Sequence, residues 1–154
     1  DTFKGTALTG PLAARGLVLP QAGVVTTTWS EWKQAHPDTT VLVEELALGR
    51  NFDFRNTRDA DGPIFPIGDL DPRLPVQEDV VGVITATDTP IAFRVSSAVE
   101  ALRRGLEVRV ENVRLVLDGG GIRAVGVDGS DVGAHQAFWF AWSQFPPRTR
   151  LWPD

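Results

Sequence analysis

Hydrophobic and polar residues alternate most regularly in the second half of the chain. Residues 106–117 place apolar side chains at alternate positions in two runs, and most of the positions between them are charged. A period of two is typical of strands that bury one face and leave the other in water. The glycine-rich stretch 118–121 and the apolar run 122–128 continue the pattern, so the sequence predicts an antiparallel meander.

Shorter runs predict further elements upstream of this meander. Residues 80–86 and 90–95 are apolar and β-branched and flank Thr87-Asp88-Thr89, which indicates a hairpin. A short helix follows, for which Ser97 and Glu100 have the spacing of a capping pair and Gly105 marks the end. Nearer the N-terminus, residues 3–19 are typical of short strands broken at Gly10-Pro11 and Gly16, and residues 39–45 favour another strand.

Two stretches of the chain resemble each other. The first tryptophan segment, residues 26–42, and the second tryptophan segment, residues 137–152, share the pattern WxxWxQxxPxT at a constant offset of 110 residues. In the first segment, Thr28 and Glu31 form a capping-box signature, so a helix is predicted to begin at Trp29. Pro37 limits this helix to about two turns, because the residue before a proline avoids helical geometry.

The paired tryptophans have two interpretations. Residues at i and i+3 share one helix face, so each pair can anchor its helix to a sheet by burial, and this use of large aromatic residues is the commoner one. The alternative is an aromatic platform for a sugar, a cation or a partner segment, which requires at least one exposed ring. Phe138, Phe140 and Phe145 make the second segment apolar on more than one side.

Together these patterns predict an α+β fold in which β-structure dominates. We expect antiparallel strands, two equivalent short tryptophan helices and one further short helix near 97–104. We expect residues 1–154 to form a single domain, with two repeat-related halves, 1–48 and 80–154, as the alternative description. A polar segment rich in Asp, Arg, Pro and Gly, residues 49–79, connects them.

Composition excludes several classes of function. The net charge is −5 and no basic stripe is present, so we expect no nucleic-acid partner. No apolar run approaches the roughly 18 residues that a transmembrane helix needs. The chain contains neither cysteine nor methionine and opens with Asp1, which indicates a processed or truncated polypeptide. Disulfides, thiolate metal sites and a cysteine nucleophile are therefore absent from this sequence.

The remaining chemistry-bearing residues form no recognisable motif. His36 and His135 lie near the two tryptophan helices without local metal-ligand spacing, so we interpret both as solvated loop histidines. The aspartates in "DADG" and "DLD" lack the remaining ligands of a calcium loop. Adjacent carboxylates such as Glu44-Glu45 point to opposite faces of a strand. No serine occupies a GxSxG motif. We therefore predict no catalytic residue, no metal site and no cofactor.

Three quoted stretches resemble a bacterial family of unknown function, DUF3179. They are "GTALTGPLAARGLVLP" with "TWSEWKQAHPDTTVL", the connector "FPIGDLDPRLPVQEDVVGV", and the closing "AFWFAWSQFPPRTRLW". The resemblance implies a duplicated architecture and an exported bacterial protein, and it carries no established activity. The family's upstream Cys-Pro-Leu-Thr segment has no counterpart here. The resemblance thus implies a chain that lacks its N-terminal part or a reduced relative.

These observations favour a non-catalytic extracytoplasmic module of the periplasm or cell envelope, an accessory or structural subunit that binds a partner protein or belongs to a larger envelope complex. The alternative is a small-ligand or metal-binding protein, or an enzyme, whose remaining active groups lie in a missing N-terminal half. For the partner-binding face we expect the connector, pinned by its apolar residues, together with the exposed side of the last helix. Its candidate residues are Arg50, Arg55, Arg58, Asp59, Phe138, Phe140 and Trp152.

Overall fold

A computed structural model describes residues 4–41, 67–146 and 148–153 of the chain. Within these ranges, the helices are α1 Gly10–Ala14, α2 Trp29–Ala35, α3 Val95–Arg103 and α4 Trp139–Ser143. The strands are β1 Asp79–Ile84, β2 Pro90–Arg94, β3 Arg109–Val110, β4 Val113–Asp118, β5 Gly121–Gly126, β6 Ala134–Phe138 and β7 Arg150–Trp152.

The strands form two sheets. One sheet has the order β6-β1-β2-β7 and the other has the order β3-β4-β5. Every pair is antiparallel except β2 and β7, which run parallel at the edge of the first sheet. The predicted α+β class is confirmed. The predicted hairpin and meander are also present, as β1–β2 and as β3–β4–β5.

Helix α3 covers both sheets with one apolar stripe. Val95, Val99 and Leu102 recur at helical spacing and pack with buried Ala98 against the main core. The predicted capping role of Ser97 is wrong, because α3 begins directly after β2 with Arg94 as its N-cap residue. The predicted end is correct, since Gly105 adopts a φ of +75° that favours glycine.

Among the described residues, the buried core consists of two clusters, and both lie in the C-terminal part of the chain. The larger cluster joins α3 to both sheets and includes Phe93, Ile91 and Val108. The smaller cluster holds the two tryptophans of α4 against Val80 and Ala92 of β1 and β2. Helix α4 is therefore anchored to the first sheet, as the burial interpretation of the tryptophans predicts.

The N-terminal part differs from the sequence prediction. Residues 10–14 form helix α1 instead of a strand, because Pro11 occupies the first turn of a helix, where its missing N–H is tolerated. The surrounding β-structure consists of a bridge between Thr6 and Val18. Residues 39–41 are not a strand, and the rest of the strand predicted at 39–45 lies outside the described residues, as do residues 49–66 of the connector.

Candidate functional site at the first tryptophan helix

The two tryptophan segments make the same side-chain hydrogen bond. Trp32 Nε1 donates to Thr39 Oγ1 at 2.9 Å, and Trp142 Nε1 donates to Thr149 Oγ1 at 3.0 Å. Each pair spans seven residues and closes the loop that follows its helix. This bond explains why the pattern WxxWxQxxPxT ends in threonine, whose hydroxyl accepts from the indole.

The backbone around the two helices is also alike. The residues that precede them, Thr28 and Phe138, have φ/ψ of −75°/148° and −70°/149°. After each helix, the amide of the threonine that ends the shared pattern donates to the carbonyl three residues earlier. Thr39 donates to His36 and Thr149 to Pro146, at 3.1 Å in both cases. The likeness in sequence therefore extends to the local conformation.

The second tryptophan of each helix, Trp32 in α2 and Trp142 in α4, packs against a glycine. A Cβ atom at Gly82 of β1 would overlap the six-membered ring of Trp142, so only glycine fits there. A Cβ atom at Gly119, in the turn between β4 and β5, would lie 3.1 Å from Trp32 Cε3. Gly119 also has a φ of +52°, which favours glycine on conformational grounds.

Burial separates the two helices. Trp139 and Trp142 are 1% and 0% exposed, whereas Trp29 is 52% exposed and Trp32 is half-buried. The difference in exposure between Trp29 and Trp139, the first tryptophan of each helix, arises from the residues that cover each ring. Residues before β1 cover Trp139, whose Nε1 donates to the carbonyl of Asp71 at 3.0 Å. Trp29 instead has Lys33 Nζ of its own helix 5.6 Å from its ring centroid. The burial prediction is therefore wrong for Trp29.

A shallow groove of about 400 Å³ runs beside the exposed ring. Val25, Thr26, Thr27, Thr28, Trp29 and Trp32 line it. Residues 24–28 lie 110 positions before β6, which pairs along its length with β1. Within the described part of the chain, no strand pairs with residues 24–28.

A polar cluster attaches α2 to the turn between β4 and β5. His36 Nε2 donates to Asp118 Oδ1 at 2.6 Å, and Arg123 Nε donates to Asp118 Oδ2 at 2.7 Å. Arg123 Nη1 also lies 3.3 Å from Asp131 Oδ1. Partial burial acts to raise the pKa of Asp118, but the hydrogen bonds from His36 and Arg123 outweigh it and lower that pKa below 3.8.

The N-terminal end of α2 contacts the same turn. Thr27 Oγ1 donates to the carbonyl of Gly119. The predicted capping box is confirmed, because the Thr28 hydroxyl accepts from the amide of Glu31 at 3.3 Å and donates to its carboxylate at 2.7 Å. This Thr28 hydrogen bond lowers the pKa of Glu31. Both ends of α2 are thus tied to residues 118–121.

Neither histidine of the chain lies in a solvated loop. His36 stacks on Trp32 with ring centroids 4.1 Å apart, and its Nε2 is occupied by Asp118. The interpretation of His36 as a solvated loop histidine is therefore wrong. His135 lies within β6 and is half-buried, so the same interpretation fails there because a strand, not a loop, carries it. The described residues contain no group of three or more metal-ligating side chains.

The comparisons with known proteins identify a family. Residues 1–129 match the family described as protein of unknown function, DUF3179. The chain belongs to the DUF3179 family. The match includes the first tryptophan segment and the whole β1–β5 region, and confirms the resemblance seen in the sequence. No curated protein and no solved structure shows significant similarity to the chain. In the portions that are described, no helix is both long and apolar enough to cross a bilayer.

Three of the residues predicted for partner binding in this DUF3179 chain, Phe138, Phe140 and Trp152, are described by the structure, and none of these three lines the groove. Phe138 and Phe140 stack with centroids 6.1 Å apart and are half-buried, and Trp152 packs 6.4 Å from Phe93 of the core. The predicted residues Arg50, Arg55, Arg58 and Asp59 lie outside the described residues. Their role in binding stays a prediction.

The partners of α2 are distant in sequence and were not predicted. Asp118 lies 82 residues from His36, and Gly119 lies 92 residues from Thr27. The glycines at 118–121 signalled a turn, but nothing in their local pattern indicated that this turn would receive a helix from the other end of the chain. The pairing of Trp32 with Gly119 has no counterpart in the local sequence and is seen only in the structure.

Proposed function

We propose that this DUF3179 chain is a non-catalytic binding module whose groove beside Trp29 holds a partner protein. It acts as an accessory or structural subunit, and an extracytoplasmic location is part of the proposal because the family resemblance implies an exported protein. The two halves of the chain are repeat-related in this proposal. Their shared indole–threonine hydrogen bonds and matching helix entries support that relationship.

One observation carries the proposal: the N-terminal part exposes apolar side chains without burying any. Among the described residues 4–41, no side chain is buried. Exposed apolar side chains that share one surface are a common mark of a protein-binding site, and Val25, Trp29 and Trp32 share the groove. The exposed large apolar residues of this part are Leu8, Leu12, Leu17, Val18, Leu19, Val24, Trp29 and Val41.

The shape and chemistry of the groove favour a protein over a small molecule. Small-molecule sites are deep and gather several polar groups toward one point. This groove is shallow, and its polar lining consists of threonine side chains along one extended stretch. An exposed indole flanked by a lysine is a typical anchor at protein interfaces, where tryptophan is enriched.

Site-specific photo-crosslinking tests the proposal. A photoreactive amino acid replaces Val24, at the exposed flank of the groove, in the full chain expressed in its native host. The control places the same group at Leu106, which is 51% exposed and lies outside the groove. We expect a discrete protein adduct from position 24 that Trp29→Ala reduces strongly and that position 106 does not give.

Equal adducts from both positions, or an adduct at position 24 that Trp29→Ala leaves intact, would refute a partner site at the groove. Circular dichroism of each variant confirms that the fold is retained. The competing function, a ligand-binding protein or enzyme with groups outside these residues, gains no support from the polar cluster at α2, because the described residues add no third metal-ligating side chain to its histidine and carboxylate.

A further inference from the structure

An open cleft of about 700 Å³ lies at the edge of the first sheet, beside β7. Strand β7 is the last strand of that sheet, whose order is β6-β1-β2-β7. The residues that line the cleft come from the segment before β1, from the end of β2 and from β7 with its immediate neighbours. None of them lines the groove beside Trp29, so the cleft is a separate site.

The cleft is lined by positive charge. Three of its seven lining residues are arginines, Arg73, Arg94 and Arg150, and none of the seven is acidic. The chain as a whole has a net charge of −5, so this lining is opposite in sign to the rest of the protein. A cleft lined by one sign of charge concentrates ions of the other sign. Its volume also lies within the range of small-molecule sites, which is about 300–1,000 Å³.

Arg73 is fixed in position by its partners. Its Nε and Nη2 donate to the carboxylate of Asp71, at 3.0 Å and 2.6 Å, and its Nη1 donates to the carbonyl of Thr149 at 2.7 Å. The guanidinium also lies 5.2 Å from the ring centroid of Trp139. Each Nη atom carries two hydrogens, so one on each remains beyond these bonds. The side chain is therefore ordered before a ligand arrives, which lowers the entropic cost of binding.

Arg94 faces the same side of the sheet as Arg73. Side chains alternate along a strand, so Arg94 lies on the face of β2 that carries Ala92. Ala92 packs with Trp139 in the smaller core cluster, and Trp139 is the ring that Arg73 covers. The Nε of Arg94 donates to Glu78 Oε1 at 3.0 Å. Among the described residues its Nη1 and Nη2 have no hydrogen-bond partner, so this end of the guanidinium can donate two parallel bonds to an oxyanion.

Arg150 contributes charge and not a direct contact. It pairs with Ile91 of β2, so alternation places its side chain on the opposite face of the sheet from Arg94. Its Nη1 donates to Glu111 Oε1 in the turn between β3 and β4. Arg73 and Arg94 are therefore the pair that can contact one ligand.

Apolar side chains lie next to this arginine pair. Leu74 and Leu151 line the cleft and pack against the smaller core cluster, and Pro153 also lines it. A ligand with its anionic group at the two guanidinium groups therefore has apolar contacts for the rest of its body. Small-molecule sites combine a mainly apolar lining with a few polar groups that fix orientation in the same way.

We propose that this cleft binds a small organic anion, with a carboxylate or phosphate group between Arg73 and Arg94 and an apolar body against Leu74, Leu151 and Pro153. Both groups are oxyanions that accept hydrogen bonds from a guanidinium. Arginine suits this role because its planar guanidinium presents its donors in a fixed fork. The site does not rest on the proposed function, because it shares no residue with the groove beside Trp29.

Titration of the full chain with defined anions tests the proposal. The probes are two pairs, inorganic phosphate with butyl phosphate and acetate with pentanoate, added at constant ionic strength to ¹⁵N-labelled protein. We expect saturable shifts of the Leu74 and Leu151 amide resonances with butyl phosphate, pentanoate or both, and the tighter of the two identifies the preferred oxyanion. The shorter member of that pair should bind more weakly, because it does not reach the apolar lining.

Variants of Arg94 test the fork. Arg94→Gln removes its charge and donors and should weaken binding about tenfold or more. Arg94→Lys keeps the charge and an ion-pair partner for Glu78, but it should also bind more weakly because an ammonium presents no fork. Arg104→Gln is the matched control, since it removes the same charge from an exposed residue outside the cleft and should leave the affinity unchanged.

The absence of saturable shifts with all four anions in the wild-type protein would overturn the proposal. Equal weakening by Arg94→Gln and Arg104→Gln would also overturn it, because the anion would then respond only to the overall charge. Equal affinity for the short and long members of both pairs would refute the apolar part of the site. Circular dichroism of each variant checks that the fold is retained, and the wild-type titration decides the proposal if Arg94→Gln does not fold.

Discussion

At the residue scale, the chain uses the same tryptophan pattern for two purposes. Trp142 fills a space in the core that Gly82 leaves open, and its Nε1 is satisfied by Thr149. Trp29 occupies an equivalent helical position to Trp139 but has no comparable cover among the described residues. A pattern of residue types therefore identifies the helix and its cap, whereas the burial of each ring depends on which other segment reaches it.

Substitution of the two kinds of tryptophan should have very different effects on stability. Trp142→Ala removes a fully buried indole and should lower the free energy of unfolding by about 3–5 kcal/mol. Trp29→Ala removes a ring that is more than half exposed and should lower it by less than about 1 kcal/mol. Urea denaturation followed by circular dichroism measures both. Similar losses for the two variants would contradict the burial described for α2 and α4.

At the scale of elements, the sequence predicted what is local. The alternation in 106–128, the hairpin around Asp88 and the Thr28 cap all depend on neighbouring residues, and the structure contains them. Helix α1 was missed because its five residues are too few to show helical periodicity. The attachment of α2 to the turn at 118–121 was missed because it depends on contacts between distant parts of the sequence. The candidate groove was missed for the same reason.

The attachment of α2 should weaken in acid. The pKa of Asp118 is lower in the folded protein than its ordinary value of 3.8. A lowered folded-state pKa stabilises the fold above the unfolded-state value, and this contribution disappears as the pH falls through the folded-state pKa. We therefore expect the loss below about pH 3.8.

Asp118→Asn provides the control for this pH dependence. At pH 7 it should lower the free energy of unfolding by about 1–2 kcal/mol, because it removes a charged acceptor from His36 and Arg123. The difference between wild type and variant should shrink toward pH 2, since other carboxylates titrate equally in both. Denaturation curves at several pH values measure it, and a difference that is independent of pH would show that the charge of Asp118 does not hold α2.

At the scale of the whole molecule, two sheets and α3 form the core, and the N-terminal part is attached to its surface. The α+β class follows from the periodicity, but the division into a buried and an exposed tryptophan helix does not. The family is described as one of unknown function, so the proposed function rests on the difference in burial between the two tryptophan helices.

The whole chain should bind no zinc, copper or iron tightly. Its two histidines lie on different elements, its sequence contains no cysteine, and the His36 Nε2 is engaged by Asp118. A closed transition-metal site needs about four converging ligands. Isothermal titration with each metal ion checks this prediction. A stoichiometric heat with submicromolar affinity for any of the three metals would contradict the prediction, and replacement of both histidines by alanine would show whether they are among the ligands.

The distance along the chain between α2 and its attachment has a consequence for biosynthesis. A ribosome completes Trp29 and His36 long before Asp118, and the turn that holds α2 leaves the exit tunnel only after most of the chain has been made. During that interval the apolar residues of 4–41 have no attachment among the elements described here. Exposed apolar stretches in nascent chains are prone to aggregation. Pulse-labelled, stalled chains that end before residue 118 should therefore retain ribosome-associated chaperones longer than chains that extend far enough beyond residue 121 for the turn to leave the tunnel.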